Sequence, residues 1–311
     1  MKNLKVIFMG TPDFSVRSLE ELQKNCKVIA VVTQPDRPRG RGQKLTFSPV
    51  KTFALANGLT VYQPERLKTL EFEKKLSDMQ PDLIVVVAFG QILSQTILDI
   101  PSLGCINVHA SLLPYYRGAA PIHWSIINGE TKTGVTTMFM DAGLDTGDMI
   151  LKKEVAITPE MTTEELHDQL MNVGAALLMN TVRQLAEGTV SRKKQDGSIS
   201  NYAPLLTKTT GRIDWNKSAV AIHNLVRGLN SWPGAYCLFN GEKLKIWRTR
   251  TIDKKGSSIP GGIVQLTKEG FLVGTGDGLL EILELQVPSK RKMAANDYIR
   301  GYGLTLHTRL E

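Results

Sequence analysis

Residues 83–87 read Leu-Ile-Val-Val-Val, five apolar residues in a row, four of them β-branched. A strand wetted on one side alternates apolar and polar residues. A run without alternation belongs to a strand covered on both faces, as in a parallel sheet with helices above and below. Two upstream runs have the same character, Leu4–Met9 (LKVIFM) and Lys27–Val32 (KVIAVV). Between them stand Gly10, Thr11, Pro12 and Asp13. Thr11 suits an N-cap, Pro12 the first helical position and Asp13 the first turn, which predicts a helix through about Lys24. Residues Phe47–Asn57 predict another helix, closed by Gly58. Downstream, Ile106–His109 and Gly134–Met140 read as strands and Glu164–Glu187 as a long helix. Strands separated by helices make βαβ units, so the expectation is an α/β, Rossmann-like, mostly parallel sheet with helices on both faces. Gly10-Thr11-Pro12-Asp13 lacks the spaced glycines of a dinucleotide fingerprint, and no phosphate-cradling loop with Lys-Ser/Thr is present.

A chain of 311 residues is long for one core and suggests two domains. No apolar run approaches the roughly 20 residues that span a bilayer. The opening MKNLKVIFMG has no small-residue cleavage site and reads as a buried first strand rather than a signal peptide. Three cysteines, Cys26, Cys105 and Cys237, lie far apart without metal-ligand spacing. That argues against a disulfide framework and against a Cys-type zinc site, and a reducing cytoplasm fits best. The polar, basic stretch 190–208 reads as a linker between a first domain, 1–189, and a second, 209–311. In the second, Asp214–Asn230 predicts a helix. Five short strands follow: Ala235–Phe239, Lys243–Arg250, Gly262–Leu266, Gly270–Gly274 and Leu279–Val287. Asn240-Gly241 and Asp277-Gly278 are hairpin turns. Five short strands suggest a small antiparallel β-barrel of the oligonucleotide-binding (OB-like) type. The net charge is +8, and residues 206–311 hold 16 Lys and Arg against 9 Asp and Glu, leaving 22 against 21 in residues 1–205. The basic module points to a polyanion, with nucleic acid the leading candidate.

The chemistry concentrates in Cys105–Pro114, CINVHASLLP. Ile106 and Val108 alternate with Asn107 and His109, which therefore share the opposite face. In an open parallel sheet, ligands bind beyond the carboxyl ends of the strands. A lone histidine there is commonly structural; a neighbouring amide on the same face needs a partner too. The loop Asp141–Met149 (DAGLDTGDM) supplies carboxylates, one of which could orient an imidazole, although Asx turns explain such composition equally well. Asn, His and Asp together suit direct attack of an amine on an activated acyl or formyl carbon, with the amide donating to the developing oxyanion.

NVHASLLPYYRGAAP, followed in order by DAGLDTGD, resembles the signature of the folate-dependent formyltransferases. From VIFMGTPDF to the basic C-terminal segment, the whole chain is similar to the branch of that family that acts on methionyl-tRNA. The resemblance implies transfer of a formyl group from 10-formyltetrahydrofolate to the α-amine of methionine on initiator Met-tRNA, with no metal. It assigns catalysis to Asn107, His109 and Asp145, with Asn107 and His109 on the oxyanion and Asp145 orienting His109. It assigns folate contacts to Ser111, Leu112, Leu113 and Pro114, and to Phe89 and Gly90.

A basic loop, Gln34–Lys44, carries Arg37, Arg39, Arg41 and Lys44 among glycines and prolines. It reads as a solvated loop or as an arm that contacts phosphates. The family resemblance favours the arm, with Arg41 as its main cation. In the second domain Lys243, Lys245, Arg248 and Arg250 split over two faces of a regular strand, so one pair faces RNA unless a bulge intervenes. Lys245 and Arg248, with the cluster Lys290-Arg291, are the candidate contacts. Trp215, Trp232 and Trp247 are expected in the core, and Phe14 lies at the ligand edge of the sheet. A formyltransferase acting on a nucleotide sugar would use the same catalytic set but needs no basic arm. An RNA-binding protein with a scaffold α/β domain would not need the Asn-His-Asp set. The spatial expectation is a monomer in which the His109 and Asp145 side chains are within hydrogen-bonding reach, with Asn107 beside them.

Overall fold

The computed structural model describes residues 1–39, 44–253, 259–302, 304–306 and 308–311, and the side chains of Arg39 and Lys44 are not part of that description. The predicted apolar runs are strands. In chain order they are β1 (Lys5–Gly10), β2 (Lys27–Val32), a short hairpin of β3 (Arg37–Arg39) and β4 (Lys44–Thr46), β5 (Val61–Tyr62), β6 (Leu83–Val87), β7 (Cys105–His109), β8 (Arg117–Gly118), β9 (Lys132–Phe139), β10 (Met149–Ala156) and β11 (Tyr202–Ala203). Helices α1 (Val16–Asn25), α2 (Pro49–Ala56), α3 (Leu70–Asp78), α4 (Gln95–Leu98), α5 (Pro121–Ile127) and α6 (Thr163–Glu187) intervene.

Among the described residues, one sheet has the order β10-β9-β7-β6-β1-β2-β5. The neighbours from β7 through β6, β1 and β2 to β5 are parallel. Strand β9 is antiparallel to β7. All five residues of β6 are buried, as an unbroken apolar run requires. Each such Val, Leu or Ile contributes about 1.5–3 kcal/mol by leaving water.

The local signals act largely as expected. The Ser48 side chain accepts from the Lys51 amide at the start of α2, Pro49 is the first helical residue, and Gly58 follows with φ +69°. The first helix differs. Thr11 is not its cap: Asp13–Ser15 form a 3-10 turn and α1 begins at Val16, with no side-chain cap. The Thr11 hydroxyl instead donates to the Phe89 carbonyl across the crest of the sheet, at 3.3 Å. Buried Ser15 donates to the Val87 carbonyl at 2.6 Å, which fixes the turn to the end of β6.

The chain divides into two compact units, one of residues 1–121, 133–156 and 167–203, the other of residues 122–132, 157–166 and 204–311. The second holds α7 (Ala219–Gly228), β12 (Ala235–Phe239), β13 (Glu242–Ile252), β14 (Ile263–Leu266), β15 (Phe271–Gly274), β16 (Leu279–Gln286), β17 (Met293–Ala294) and α8 (Ala295–Tyr302). The helix predicted from Asp214 begins only at Ala219. The Asp214 carboxylate accepts from the Asn216 backbone and side chain, an Asx turn that competes with helix, and the Ser218 hydroxyl then caps α7. The strands run antiparallel in the order β12-β13-β16-β15-β14, with β17 beside β16. Asn240 and Gly241 both have positive φ, as a two-residue hairpin requires.

That path leaves β12 and β14 unpaired with each other. The C-terminal residues span the difference: Ile263 and Gly261 exchange backbone hydrogen bonds with Thr308 and Leu310, and Leu238 exchanges two with Glu311. Leu310 is 1% exposed and packs in the core with Trp215, Ile246, Phe271 and Ile282. The arrangement is an antiparallel barrel-like sheet around one core. Among the described residues no helix is long and apolar enough to cross a membrane, and no cluster of side chains could hold a metal ion.

Candidate active site

Strand β7 delivers two polar side chains to the crest of the first sheet. Asn107 is half-buried and His109 is 6% exposed. Among the described residues the Asn107 side-chain amide has no hydrogen-bond partner. Its strand position is set by pairing with Val86 on one side and Met138 on the other. His109 is oriented by backbone. Its Nε2 lies 2.9 Å from the Tyr116 carbonyl oxygen, which can only accept, so Nε2 carries the proton and donates. Nδ1 faces Asp145 Oδ2 at 3.7 Å. That is ion-pair range, not a hydrogen bond. The expected direct hydrogen bond to Asp145 is therefore replaced by one to a main-chain carbonyl, and Asp145 is a charge held opposite the free ring nitrogen.

The Asp145 loop is built to hold that carboxylate. Asp145 has φ +54°, and its Oδ2 accepts from the Gly118 amide at 2.8 Å. Asp141 closes the loop on itself, accepting from the Gly143 amide and the Thr146 hydroxyl. Gly147 is required: a Cβ there would stand 1.9 Å from the Phe139 carbonyl oxygen. Gly118, with φ +112°, is required in the same way, because its Cβ would meet the Tyr202 ring at 2.4 Å.

The stretch read as a linker supplies contacts that the sequence did not reveal. Strand β11 pairs in parallel with β8. The Asn201 side-chain oxygen accepts from the Tyr116 amide, and its backbone oxygen accepts from Arg117. Gln195 binds the Asp145 and Gly147 carbonyls and the Arg117 guanidinium. The only advance signal was a run of polar residues, which reads equally well as solvated loop.

The loop after β7 is equally constrained. Fully buried Ser111 donates to the Tyr115 carbonyl at 2.6 Å, and Thr136 links the Ser111 carbonyl to the Leu113 amide. Leu113 is fully buried against Met138 and Met149, so its side chain serves packing. Its carbonyl accepts from Lys152. Partial burial, then the nearby Lys193, hold that ammonium below the usual lysine range. Leu112 is half-buried and Pro114 buried beside it. At the end of β6, the Phe89 ring is 2% exposed in the core, while its carbonyl accepts from Thr11 and from Gln34 at 3.0 Å. Gly90 is exposed with φ +87°. Phe14 is buried and meets His167 edge-on, with ring centroids 5.3 Å apart.

The candidate cations fare differently. Arg37 is exposed on β3, and β3 pairs with β4 through Arg39 opposite Lys44. Arg41 lies outside the described residues. The root of this arm is tied down where Asp36 accepts from Lys51 and from Gln63, and the Lys51 ammonium, then Gln63, hold the Asp36 carboxyl below its usual range. In the second unit a bulge does intervene: register shifts around Trp247 break the alternation of β13. Lys243, Arg248 and Arg250 are exposed and Lys245 half-exposed, while Leu244, Ile246 and Thr249 are buried. Lys245 donates to the Pro233 carbonyl, and burial, then Lys243 and Lys292, lower its pKa. Arg250 pairs with Glu281 and Glu269. The side chains of Arg248, Lys290 and Arg291 are exposed and make no ion pair among the described residues. Trp215 and Trp247 are core residues, but Trp232 is 56% exposed, against expectation.

Comparisons with known proteins identify the family. Residues 2–182 match the formyl transferase family and residues 205–303 match the formyl transferase C-terminal domain. The chain is 54% identical to methionyl-tRNA formyltransferase of Ruminiclostridium cellulolyticum over 301 residues, 96% of each chain. It is 52% identical to that of Clostridioides difficile over 299 residues, 96% of this chain and 97% of the other. Among solved structures, the N-formyltransferase from Helicobacter canadensis in complex with folinic acid and dTDP-3-aminofucose has the same fold, with a TM-score of 0.68 at 22% identity over 90% of this chain and 99% of that one. Matching family domains cover most of both units, and half of all residues are shared with relatives along nearly the full chain: this protein belongs to the formyl transferase family.

Proposed function

We infer that this chain transfers the formyl group of 10-formyltetrahydrofolate to the α-amine of methionine on initiator tRNA, giving N-formylmethionyl-tRNA for translation initiation. Identity of about one half to methionyl-tRNA formyltransferases supports the acceptor. The observation that carries the chemistry is the crest of β7: an unpartnered Asn107 amide beside an imidazole whose Nε2 is already committed to Tyr116. An amide donor left open at a strand end fits a group whose oxygen gains negative charge.

10-Formyltetrahydrofolate supplies the electrophilic formyl carbon. Asn107 donates a hydrogen bond to the formyl oxygen as charge develops there. Attack by the amine forms the new C–N bond, and His109 Nδ1 is the base placed to accept the amine's proton; collapse of the tetrahedral adduct then breaks the C–N10 bond, and the proton passes to N10 of the departing tetrahydrofolate. Asp145, 3.7 Å away, then balances the imidazolium charge. Since Nε2 is engaged, His109 can donate to the oxyanion only from Nδ1 and only when protonated. Ser111, Leu112, Leu113 and Pro114, with Phe89 and Gly90, form the surrounding folate contacts. The side chains of Phe89 and Leu113 shape the loops from within, and Gly90 and Leu112 are the accessible members.

Residues 1–189 carry the catalytic Asn107, His109 and Asp145, 190–208 lead to the second domain and on the way return Gln195 and Asn201 to the site, and 209–311 bind tRNA. Arg37, Arg39, Arg41 and Lys44 on the arm contact the acceptor end, and Arg248, Lys290 and Arg291 contact backbone phosphates, with Lys245 partly committed to Pro233. The enzyme works as a monomer in the cytoplasm, where initiator tRNA is charged. The test is formylation of Met-tRNA by the purified protein with 10-formyltetrahydrofolate, beside free methionine and a dTDP-amino sugar. Product from Met-tRNA alone is expected. Comparable formylation of the amino sugar would overturn the assignment.

A further inference from the structure

We propose that Gln195 is a positioning residue for the catalytic histidine and aspartate, because its one side-chain amide joins the two loops that hold them. The inference rests on the formyl-transfer reading of this site.

Gln195 uses its whole hydrogen-bonding capacity. Nε2 donates to the carbonyl oxygens of Asp145 and Gly147, each at 2.8 Å. Oε1 accepts from Arg117 Nε at 3.1 Å and Arg117 Nη2 at 2.8 Å. The orientation of the amide is dictated by chemistry, since carbonyls only accept and a guanidinium only donates. On one side the amide pins the residue whose carboxylate faces His109 Nδ1. On the other it fixes Arg117, which directly follows Tyr116, and the Tyr116 carbonyl receives His109 Nε2. The Gly118 amide completes the circuit by donating to Asp145 Oδ2. The imidazole thus sits inside a closed ring of contacts that runs through Tyr116, Arg117, Gln195 and Asp145.

Asp145 cannot hold this position by local preference. Its φ of +54° is disfavoured for a side-chain-bearing residue, so the conformation needs support from its surroundings. Two hydrogen bonds from a half-buried amide are that support. Gln195 touches no reacting atom. Its substitution should misplace the carboxylate and lower turnover, leaving substrate binding alone.

The test compares Gln195→Ala and the isosteric Gln195→Glu with the unmodified full chain. A glutamate retains the contact with Arg117 but cannot donate to the two carbonyls. Both variants should lose about 10- to 100-fold in kcat, the scale of a small misplacement, with KM for either substrate within about twofold. In an Asp145→Ala background, Gln195→Ala should cost several-fold less than it does alone, because only its hold on Arg117 and Tyr116 is left to lose. Hydrogen exchange at the Gly118 amide should quicken in both single variants. Full kcat in both variants, or the same multiplicative loss with and without Asp145, would overturn the inference. If Gln195→Ala does not fold, Gln195→Glu carries the test. An inactive unmodified protein would count against the formyl-transfer reading instead, and Gly118 exchange would still decide the role of Gln195.

Discussion

The crest of β7 and the outer face of β13 are both rich in polar side chains, but they spend them differently. At β7, Ser111, Thr136, His109, Asp145 and Gln195 are hydrogen-bonded to backbone, and one amide, Asn107, is left open. On β13 one cation, Lys245, is bound to a main-chain carbonyl, while the other partners are rings and carboxylates: Lys243 lies over Tyr236, Lys292 over Trp247, and Arg250 against Glu281. The cations left without such partners are spread along exposed chain. A fixed donor in a walled site suits a step in which charge develops at one atom. Dispersed cations suit a long polyanion read through its phosphates.

The largest effects should follow from breaking the first region. Asn107→Ala or His109→Ala should lower kcat by about 100- to 1,000-fold, the usual consequence of losing an oxyanion donor or proton acceptor, with the far-ultraviolet circular dichroism unchanged. Steady-state formylation kinetics check this. Asp145→Ala should cost less, about 10- to 100-fold, since Tyr116 still orients the ring.

The second region should respond in a different currency. Replacing Arg248, Lys290 and Arg291 together by Ala should weaken tRNA binding and flatten its salt dependence by about 0.7–0.9 logarithmic units per lost phosphate contact, with kcat at saturating tRNA unchanged. Fluorescence titration at several salt concentrations reads this directly. Lys245→Ala should change the slope less, because its ammonium is already bound to Pro233. An equal loss from Lys245 and from Arg248 would mean that the Pro233 contact does not withhold the Lys245 ammonium from tRNA.

The smallest effect concerns the root of the basic arm. Lys51, then Gln63, keep the Asp36 carboxyl below its usual range. Its folded pKa is depressed, so the stabilising contribution is complete above the unfolded value, about 3.9, and fades as pH falls through the lower folded value. Protease nicking of the arm should therefore be constant from pH 5 to 8 in the wild type and increase in Asp36→Asn across that range. Equal nicking of the two proteins at pH 7 would remove Asp36 from this role.

Much of this was legible in the sequence for identifiable reasons. Unbroken β-branched runs such as Leu83–Val87 have few ways to bury themselves, and Asn240-Gly241 leaves the chain one easy turn. Alternation alone placed Asn107 and His109 on one face. What escaped were partners made of backbone. Tyr116 orients His109 through a carbonyl, which every residue possesses, so no residue type announces it. Thr11 had the composition of a cap, but its hydroxyl accepts from the Gln34 amide and donates to the Phe89 carbonyl instead. The bulge at Trp247 and the exposure of Trp232 depend on register and packing, which composition does not encode. Gln195 and Asn201 stood in a polar stretch that resembled a linker until strand β11 brought it back against β8.

The most direct test of the division between the two regions is one pair of measurements on Asn107→Ala: single-turnover formylation of Met-tRNA and the dissociation constant for the same tRNA. Formylation should slow by about 100-fold or more while tRNA affinity stays at the wild-type value. Formylation at the wild-type rate, or a loss explained entirely by weaker tRNA binding, would contradict that division.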